Sequence, residues 1–213
     1  MSVKAQQLID AAVELFNERG YRATGIDAIL ERAGVAKMTL YKHFGTKDEL
    51  ILSALRAADE RSRAWMVTEI ERRAADPRGR LLALFGFAGD WVRGEDFRGC
   101  MFIRASGELA GDAAAGSDPV RAACAEHVAL IERYVEGLAV QAGAADPPGL
   151  ARQLVLLFQG VLTAGQSGVG GPMIETATTA AATLIDAGLG GRGANGARDE
   201  SAHPLPAREA TRR

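Results

Sequence analysis

Apolar side chains recur at the spacing of one helix face in two short segments near the start of the chain. The stripe of the first segment consists of Leu8, Ala12, Leu15 and Phe16. The stripe of the second segment consists of Ile26, Ile29, Leu30 and Ala33. Gly20 and Gly34 follow these stripes, and glycine commonly ends a helix. The pattern predicts a first helix that ends before Gly20 and a second helix over 25–33.

Polar residues predict where the neighbouring helices begin. Thr24 and Asp27 have the spacing of a capping box variant for the second helix. Thr46 and Glu49 have the spacing of a capping box for a fourth helix, predicted from 47 to about 75. The sequence DPRG at 76–79 then breaks the chain.

A short third helix is predicted between these two, over about 36–42. Leu40 and Phe44 lie four positions apart, so both can turn toward a core. The second and third helices, with the short turn at Gly34 between them, have the spacing of a helix-turn-helix unit.

Beyond residue 80 the helical segments are rich in Ala, Leu and Val. They are predicted over 81–93, 100–111, 119–142, 149–168 and 173–188. The glycine-rich run GQSGVGG at 165–171 and Pro172 are predicted to form the turn before the last helix. The sequence has no strand-like alternation, so the predicted fold is all-α. We expect one domain over 1–48, a second over 49–190, and a disordered tail over 191–213, with the fourth helix linking the domains.

Composition and charge indicate the cellular location of the protein but do not assign a function. The chain has 213 residues, of which 47% are hydrophobic, as is ordinary for a globular protein. Its net charge of −2 means that the molecule as a whole does not attract phosphate. Cys100 and Cys124 have no metal-binding spacing and are expected to be reduced thiols, with Cys100 buried and inert. No apolar run resembles a signal peptide or approaches the ~20 residues of a membrane span. A cytoplasmic location is predicted.

The local charge of the third helix differs from that of the whole chain. Arg32, Lys37, Lys42 and Lys47 are basic, and no acidic residue occurs between the first and last of them. A solvated helix face would explain one basic helix. A basic helix that follows a correctly spaced helix and turn favours DNA, because lysines bind phosphates while shorter side chains contact base edges.

Residues 5–52 resemble the DNA-binding domain of TetR-type transcriptional regulators. The motifs that carry the resemblance are LFNERGYRAT, AGV, TLYKHF and TKDEL, in this order and register. The resemblance implies a homodimer in which each chain has an N-terminal DNA-binding domain and a C-terminal helical domain for ligand binding and dimerisation. The last two helices would build the dimer interface.

The DNA-binding residues follow partly from helix physics and partly from the resemblance. Backbone N–H groups at Thr24 and Gly25, at a helix N-terminus, can bind a phosphate by donating hydrogen bonds to it. The resemblance implies phosphate contacts by Thr24, Tyr41, His43 and Lys47, and base-edge or nearby backbone contacts by Lys37, Met38, Thr39 and Lys42. The predicted DNA-binding residues are Thr24, Gly25, Lys37, Met38, Thr39, Tyr41, Lys42, His43 and Lys47. Ala36 and Met38 depart from the serine and glycine common in the family, so Ala36 cannot cap the third helix.

The second domain contains candidates for a ligand site. Arg104 and Glu108 lie four apart in the otherwise apolar segment RGCMFIRASGEL, where they form either a surface ion pair or the polar groups of a cavity. Ordinary core packing is the alternative for each aromatic candidate. The candidate ligand-binding residues are Trp65, Trp91, Phe102, Arg104, Glu108, Tyr134 and Phe158. His127 is expected to be a surface or hydrogen-bonded structural histidine.

The leading hypothesis is therefore a sequence-specific DNA-binding regulator, expected to be a repressor that a small molecule releases from a double-stranded DNA operator. We expect no catalytic residue, metal site or cofactor, because the sequence contains none of the usual catalytic or phosphate-binding motifs. The alternatives are an all-α small-molecule-binding protein or enzyme with a vestigial DNA-binding domain, and a protein–protein module that uses the basic helix.

Overall fold

The computed structural model describes residues 2–109 and 118–190, and this part of the chain forms nine α-helices. They are α1 (Val3–Arg19), α2 (Ile26–Ala33), α3 (Lys37–Phe44), α4 (Lys47–Arg73), α5 (Pro77–Arg93), α6 (Met101–Leu109), α7 (Pro119–Ala142), α8 (Pro147–Gln166) and α9 (Gly170–Gly190). The all-α prediction is confirmed. The predicted tail over 191–213 and the predicted end of the helix over 100–111 lie outside the described residues. None of the described helices is both long enough and apolar enough to cross a membrane.

The first three helices pack around the apolar stripes that the sequence predicts. Phe16 stacks on Tyr21 with ring centroids 4.7 Å apart, and both side chains are fully buried. Gly20 and Gly34 have φ angles of +86° and +65°, so the glycine stops of α1 and α2 are confirmed. The turn between α2 and α3 depends on Gly34, because a left-handed backbone strains residues with a Cβ.

One predicted cap is confirmed and the other is wrong. Thr46 accepts a hydrogen bond from the Glu49 N–H at the start of α4. Thr24 does not cap α2, since Gly25 occupies that position without a side-chain bond. The Thr24 hydroxyl is fully buried and shares its one proton between the carbonyl oxygens of Gly20, at 2.6 Å, and Leu15, at 3.2 Å. A buried hydroxyl must find a partner inside the protein, and here that requirement prevails over capping.

Two of the later helices, α5 and α8, begin earlier than their apolar stripes predict. α5 begins at Pro77 and α8 at Pro147, four and two residues before the predicted starts at 81 and 149. The preceding residues, Asp76 and Asp146, each accept a hydrogen bond from a first-turn N–H. Proline suits the first helical position, because its fixed φ fits a helix and its missing N–H would have no intrahelical partner there. The Asp-Pro pairs therefore start helices.

The last two helices form an antiparallel hairpin joined by residues 167–169. α9 begins at Gly170, so Pro172 lies in its first turn and its predicted place in the connecting turn is wrong. α5 packs against α4, α7, α8 and α9 and forms the centre of the second half. The outer side of the hairpin exposes Leu156, Val169 and Met173.

Candidate DNA interface and ligand cavity

Helix α3 is fixed on the core by two side chains and exposes the others. Leu40 is fully buried and Phe44 is 7% exposed, as their four-residue spacing predicts. Ala36 stands at the N-cap of α3 and makes no side-chain hydrogen bond, as expected. Met38 is 81% exposed and Tyr41 is 45% exposed. The side chains of Met38 and Tyr41 are therefore accessible to a partner.

The residues predicted to contact base edges or the nearby backbone lie together on this exposed side, next to the predicted phosphate contact Tyr41. Met38, Thr39, Tyr41 and Lys42 line one shallow depression, and Lys37 stands beside them at the start of the helix. Hydroxyl, methyl, phenol and ammonium groups thus share one face, which offers both base-edge and phosphate contacts. Their contacts with DNA remain predictions.

The basic patch is smaller in the structure than in the sequence. Arg32 bonds to Glu14 and Glu18 on α1 at 3.0 and 3.3 Å, so its charge is offset there. Lys37 approaches Asp27 at 3.6 Å, with both side chains mostly exposed. Lys42 forms no ion pair within residues 2–109 and 118–190. Lys42 is therefore the cation of α3 most available to a phosphate.

Two further predicted phosphate contacts are already held by the protein. The Lys47 ammonium donates to the Tyr21 carbonyl at 3.0 Å, which ties the start of α4 to the loop after α1. His43 Nε2 lies 3.1 Å from the hydroxyl of Ser2, which also caps α1. Sequence reasoning missed Ser2, although a serine before a helix is a typical N-cap. These contacts position Lys47 and His43 at the edge of the candidate interface.

Thr24 and Gly25 differ in what they can offer a phosphate. Thr24 has no exposed surface, whereas Gly25 is exposed at the N-terminus of α2. Because first-turn N–H groups and the helix dipole favour an anion there, α2 keeps the feature that the prediction relied on. Thr24 contributes by bracing the end of α1 from inside.

A cavity of about 270 Å³ lies where α1 meets helices of the second half of the chain. Its wall includes the side chains of Trp65, Phe87, Trp91, Phe102, Phe158 and Leu162. Four predicted ligand-site residues, Trp65, Trp91, Phe102 and Phe158, are therefore placed in one wall, while ligand binding itself stays a prediction. Val13, Glu14 and Asn17 of α1 close the cavity on the side of the DNA-binding helices.

One side of the cavity is built from aromatic rings in edge-to-face contact. Trp65 packs on Phe87 and Trp91 with centroid distances of 4.7 and 5.7 Å, and Trp91 contacts Phe97 at 5.6 Å. Trp65 remains 45% exposed despite these contacts. Such rings offer faces to a flat apolar ligand.

Polar groups of the cavity form a network that joins α4 to α7. His127 Nδ1 lies 2.7 Å from Asp59 Oδ1, and Arg63 binds both carboxylate oxygens of Asp59. Burial lowers the pKa of His127 and would raise that of Asp59, but hydrogen bonds from Arg63 and His127 hold the Asp59 pKa below its usual value. The His127 ring also stacks on Phe102, with centroids 3.6 Å apart. The expectation of a hydrogen-bonded histidine is confirmed.

Arg104 and Glu108 do not line this cavity, and their assignment as candidate ligand contacts stays a prediction. Their ion pair exists, at 3.7 Å, with side chains 17% and 29% exposed. Glu108 accepts hydrogen bonds from the backbone N–H groups of Tyr21 and Arg22 at 2.8 and 3.0 Å. Arg104 donates to the Asn17 carbonyl at 2.8 Å. The pair joins α6 to the end of α1 and the loop that follows it.

Tyr134 is also outside the cavity lining. Its hydroxyl is buried and has no hydrogen-bond partner in the described residues, and burial raises its pKa. Cys100 lies at the cavity wall with its thiol buried, and burial raises the pKa of that thiol, in agreement with the expected inert cysteine.

Comparisons with known proteins match the DNA-binding helices most strongly. Residues 8–54 match the model of bacterial regulatory proteins of the tetR family. Over 49 residues the chain is 55% identical to the HTH-type transcriptional activator FasR of Mycolicibacterium smegmatis, a match that covers 23% of this chain and 22% of that protein. The chain spans about a fifth to a third of the first curated relatives it matches.

Two solved structures are similar over most of the chain. SCO4454, a TetR-family transcriptional regulator from Streptomyces coelicolor, has a TM-score of 0.76 and 29% identity, covering 87% of this chain and 90% of that one. A putative regulator of the same type, sav143 from Streptomyces avermitilis, has a TM-score of 0.71 and 29% identity, covering 88% and 98%. The likeness thus extends to the helices that build the cavity.

Proposed function

We propose that this chain is a repressor of the TetR family of bacterial regulatory proteins, and that a small molecule releases it from its operator. The proposal places the DNA-binding domain at 1–48 and the ligand-binding domain at 49–190, with α4 shared between them. The relatives FasR and SCO4454 are transcriptional regulators, which favours this function over an enzyme or carrier. A regulator of this kind works in the cytoplasm, where the DNA is.

DNA recognition in this proposal uses α3 of two copies of the chain. The exposed side of α3 enters the major groove, with Met38, Thr39 and Lys37 near base edges and Lys42 on phosphate. Two copies would place their α3 helices in successive grooves, about 34 Å apart on a quasi-palindromic operator. The exposed apolar residues Leu156 and Met173 on the α8–α9 hairpin support a homodimer, because such side chains gain from burial between chains.

The observation that carries the proposed response is the position of α6. Met101 and Phe102, at its start, line the cavity, while Glu108, near its end, binds the Tyr21 and Arg22 N–H groups. The Tyr21 hydroxyl also donates to the Met101 carbonyl, at 3.2 Å. A ligand that displaces the start of α6 would therefore change its contacts with the DNA-binding helices. Release follows only if the ligand prefers the displaced arrangement.

The experiment is fluorescence anisotropy with labelled DNA from upstream of the chain's own gene, at several salt concentrations. Lys42→Ala should weaken binding and reduce the salt slope by about one unit, the loss expected for one phosphate contact. Arg32→Ala is the matched control, because Arg32 is already paired with Glu14 and Glu18. Absence of sequence preference at physiological salt, or equal salt slopes for Lys42→Ala and the unchanged chain, would contradict the docking of α3.

A further inference from the structure

We propose that the cavity takes a flat aromatic ligand that carries a hydroxyl group, such as a phenol or naphthol, and that this hydroxyl donates a hydrogen bond to Nε2 of His127. This inference rests on the proposed function, because it names the class of ligand for the cavity that the function assigns to an effector. It depends on three observations: the hydrogen bond between His127 and Asp59, the charge balance around the imidazole, and the shape of the walls.

The hydrogen bond to Asp59 decides which nitrogen of His127 carries the proton. An ionised carboxylate only accepts hydrogen bonds, so the Nδ1 that lies 2.7 Å from Asp59 Oδ1 must be the donor. In the neutral imidazole, Nε2 is then an acceptor. Within the described chain Nε2 has no hydrogen-bond partner, although His127 lines the cavity. A ligand that enters the cavity therefore meets an unused acceptor.

The charges near His127 are already balanced, which disfavours a carboxylate ligand. Asp59 receives three close contacts from the Arg63 guanidinium, at 2.8 to 3.0 Å. Glu14, which also lines the cavity, bonds to Arg32 at 3.0 Å, and the lining includes one further residue of each sign, Asp96 and Arg98. A carboxylate ligand at Nε2 would be repelled by the lone pair of that nitrogen and by the negative charge of Asp59 beyond the ring. A neutral donor such as a hydroxyl avoids that repulsion.

The walls favour a flat ring system of limited size. The ring planes of Trp65 and Trp91 make an angle of 84°. A ligand ring that stacks on the face of one therefore presents its edge to the other. The volume of about 270 Å³ equals about nine water molecules at ~30 Å³ each. This space is near the lower limit of ~300 Å³ for small-molecule sites, so it suits one or two fused rings.

Calorimetric titration of the full chain at pH 7.5, without DNA, tests the class of ligand directly. The probes are 2-naphthol, its methyl ether 2-methoxynaphthalene, and 2-naphthoate. The ether keeps the ring and the oxygen but lacks the donor, so 2-naphthol should bind about tenfold more tightly than the ether. It should also bind more tightly than the naphthoate anion. Equal affinity for the ether, or tighter binding of 2-naphthoate, would overturn the proposal.

His127→Phe keeps an aromatic ring against Phe102 and removes the acceptor. In this variant the two affinities, for 2-naphthol and for its ether, should become about equal. Tyr134→Phe is the matched control, because it removes a hydroxyl outside the cavity and should leave the tenfold preference intact. The three probes test the ligand class on the unchanged chain, so the test remains valid if a variant does not fold.

A separate anisotropy measurement with operator DNA distinguishes this inference from the proposed function. If 2-naphthol binds with the expected preference and does not release DNA, the ligand class is supported and the proposed response fails. If 2-naphthoate binds more tightly than 2-naphthol and releases the DNA, the proposed response is supported and the ligand class is overturned.

Discussion

The DNA-binding helices and the cavity satisfy their buried polar groups in different ways. Thr24 bonds to carbonyls only nine and four residues away, at Leu15 and Gly20. His127 depends on Asp59, which is 68 residues away on another helix. The Thr24 contacts form as soon as α1 and the loop after it are folded. The contact of His127 with Asp59 exists only when α4 and α7 are packed together, so a change in that packing alters the cavity before it alters α3.

Helix α6 joins these two regions, and removal of Glu108 near its end is expected to have the largest effect. Glu108→Ala would leave the N–H groups of Tyr21 and Arg22 without their carboxylate partner. The expected loss in free energy of unfolding is about 1.5–3 kcal/mol, the contribution of one hydrogen bond to a charged group, since the Tyr21 N–H is part-buried while the exposed Arg22 N–H can bond to water instead. Urea denaturation followed by circular dichroism measures this loss.

Glu108→Gln is the matched control, because its amide oxygen still accepts a hydrogen bond while the charge is removed. It should lose less stability than Glu108→Ala. If the alanine variant is as stable as the unchanged chain, the junction between α6 and the loop after α1 contributes no coupling, and the two regions are independent.

A smaller effect is expected inside the DNA-binding helices. Thr24→Val removes the hydroxyl at nearly constant volume and leaves the Leu15 and Gly20 carbonyls without it. The expected cost is about 1–2 kcal/mol of unfolding free energy, from thermal or urea denaturation. Thr24→Ser keeps the hydroxyl and should lose less. Equal stability of the valine and threonine forms would show that this buried hydroxyl is dispensable.

The contrast between local and distant partners also explains what could be predicted from the sequence. The apolar spacing of Leu40 and Phe44 identified the buried side of α3, and Gly34 identified its turn, because both features depend on neighbours in sequence. The burial of Thr24 was missed, since it results from the loop folding back on α1. Motif spacing alone favoured a cap there.

In the cavity the sequence predicted the walls better than the polar groups. Trp65, Trp91, Phe102 and Phe158 were candidates because large aromatic side chains commonly line sites. The spacing of Arg104 and Glu108 predicted their ion pair, but it carried no information about the loop after α1, some 87 residues away. The pairing of Asp59 with His127 was missed for the same reason.

The smallest expected effect is a pH dependence of stability that belongs to the cavity. Burial lowers the pKa of His127 in the folded state, whereas an exposed histidine in the unfolded chain titrates near ~6.5. The unfolded state therefore binds more protons just below pH 6.5, so stability is fully present above that pH and declines as the pH falls. The slope cannot exceed about 1.4 kcal/mol per pH unit for one proton. Unfolding midpoints in urea between pH 7.5 and 5.5 should fall less for His127→Phe than for the unchanged chain.

His43→Gln is the control, because His43 is exposed on α3 and its replacement should leave the decline unchanged. If both variants and the unchanged chain lose stability in parallel, His127 is not the group that titrates.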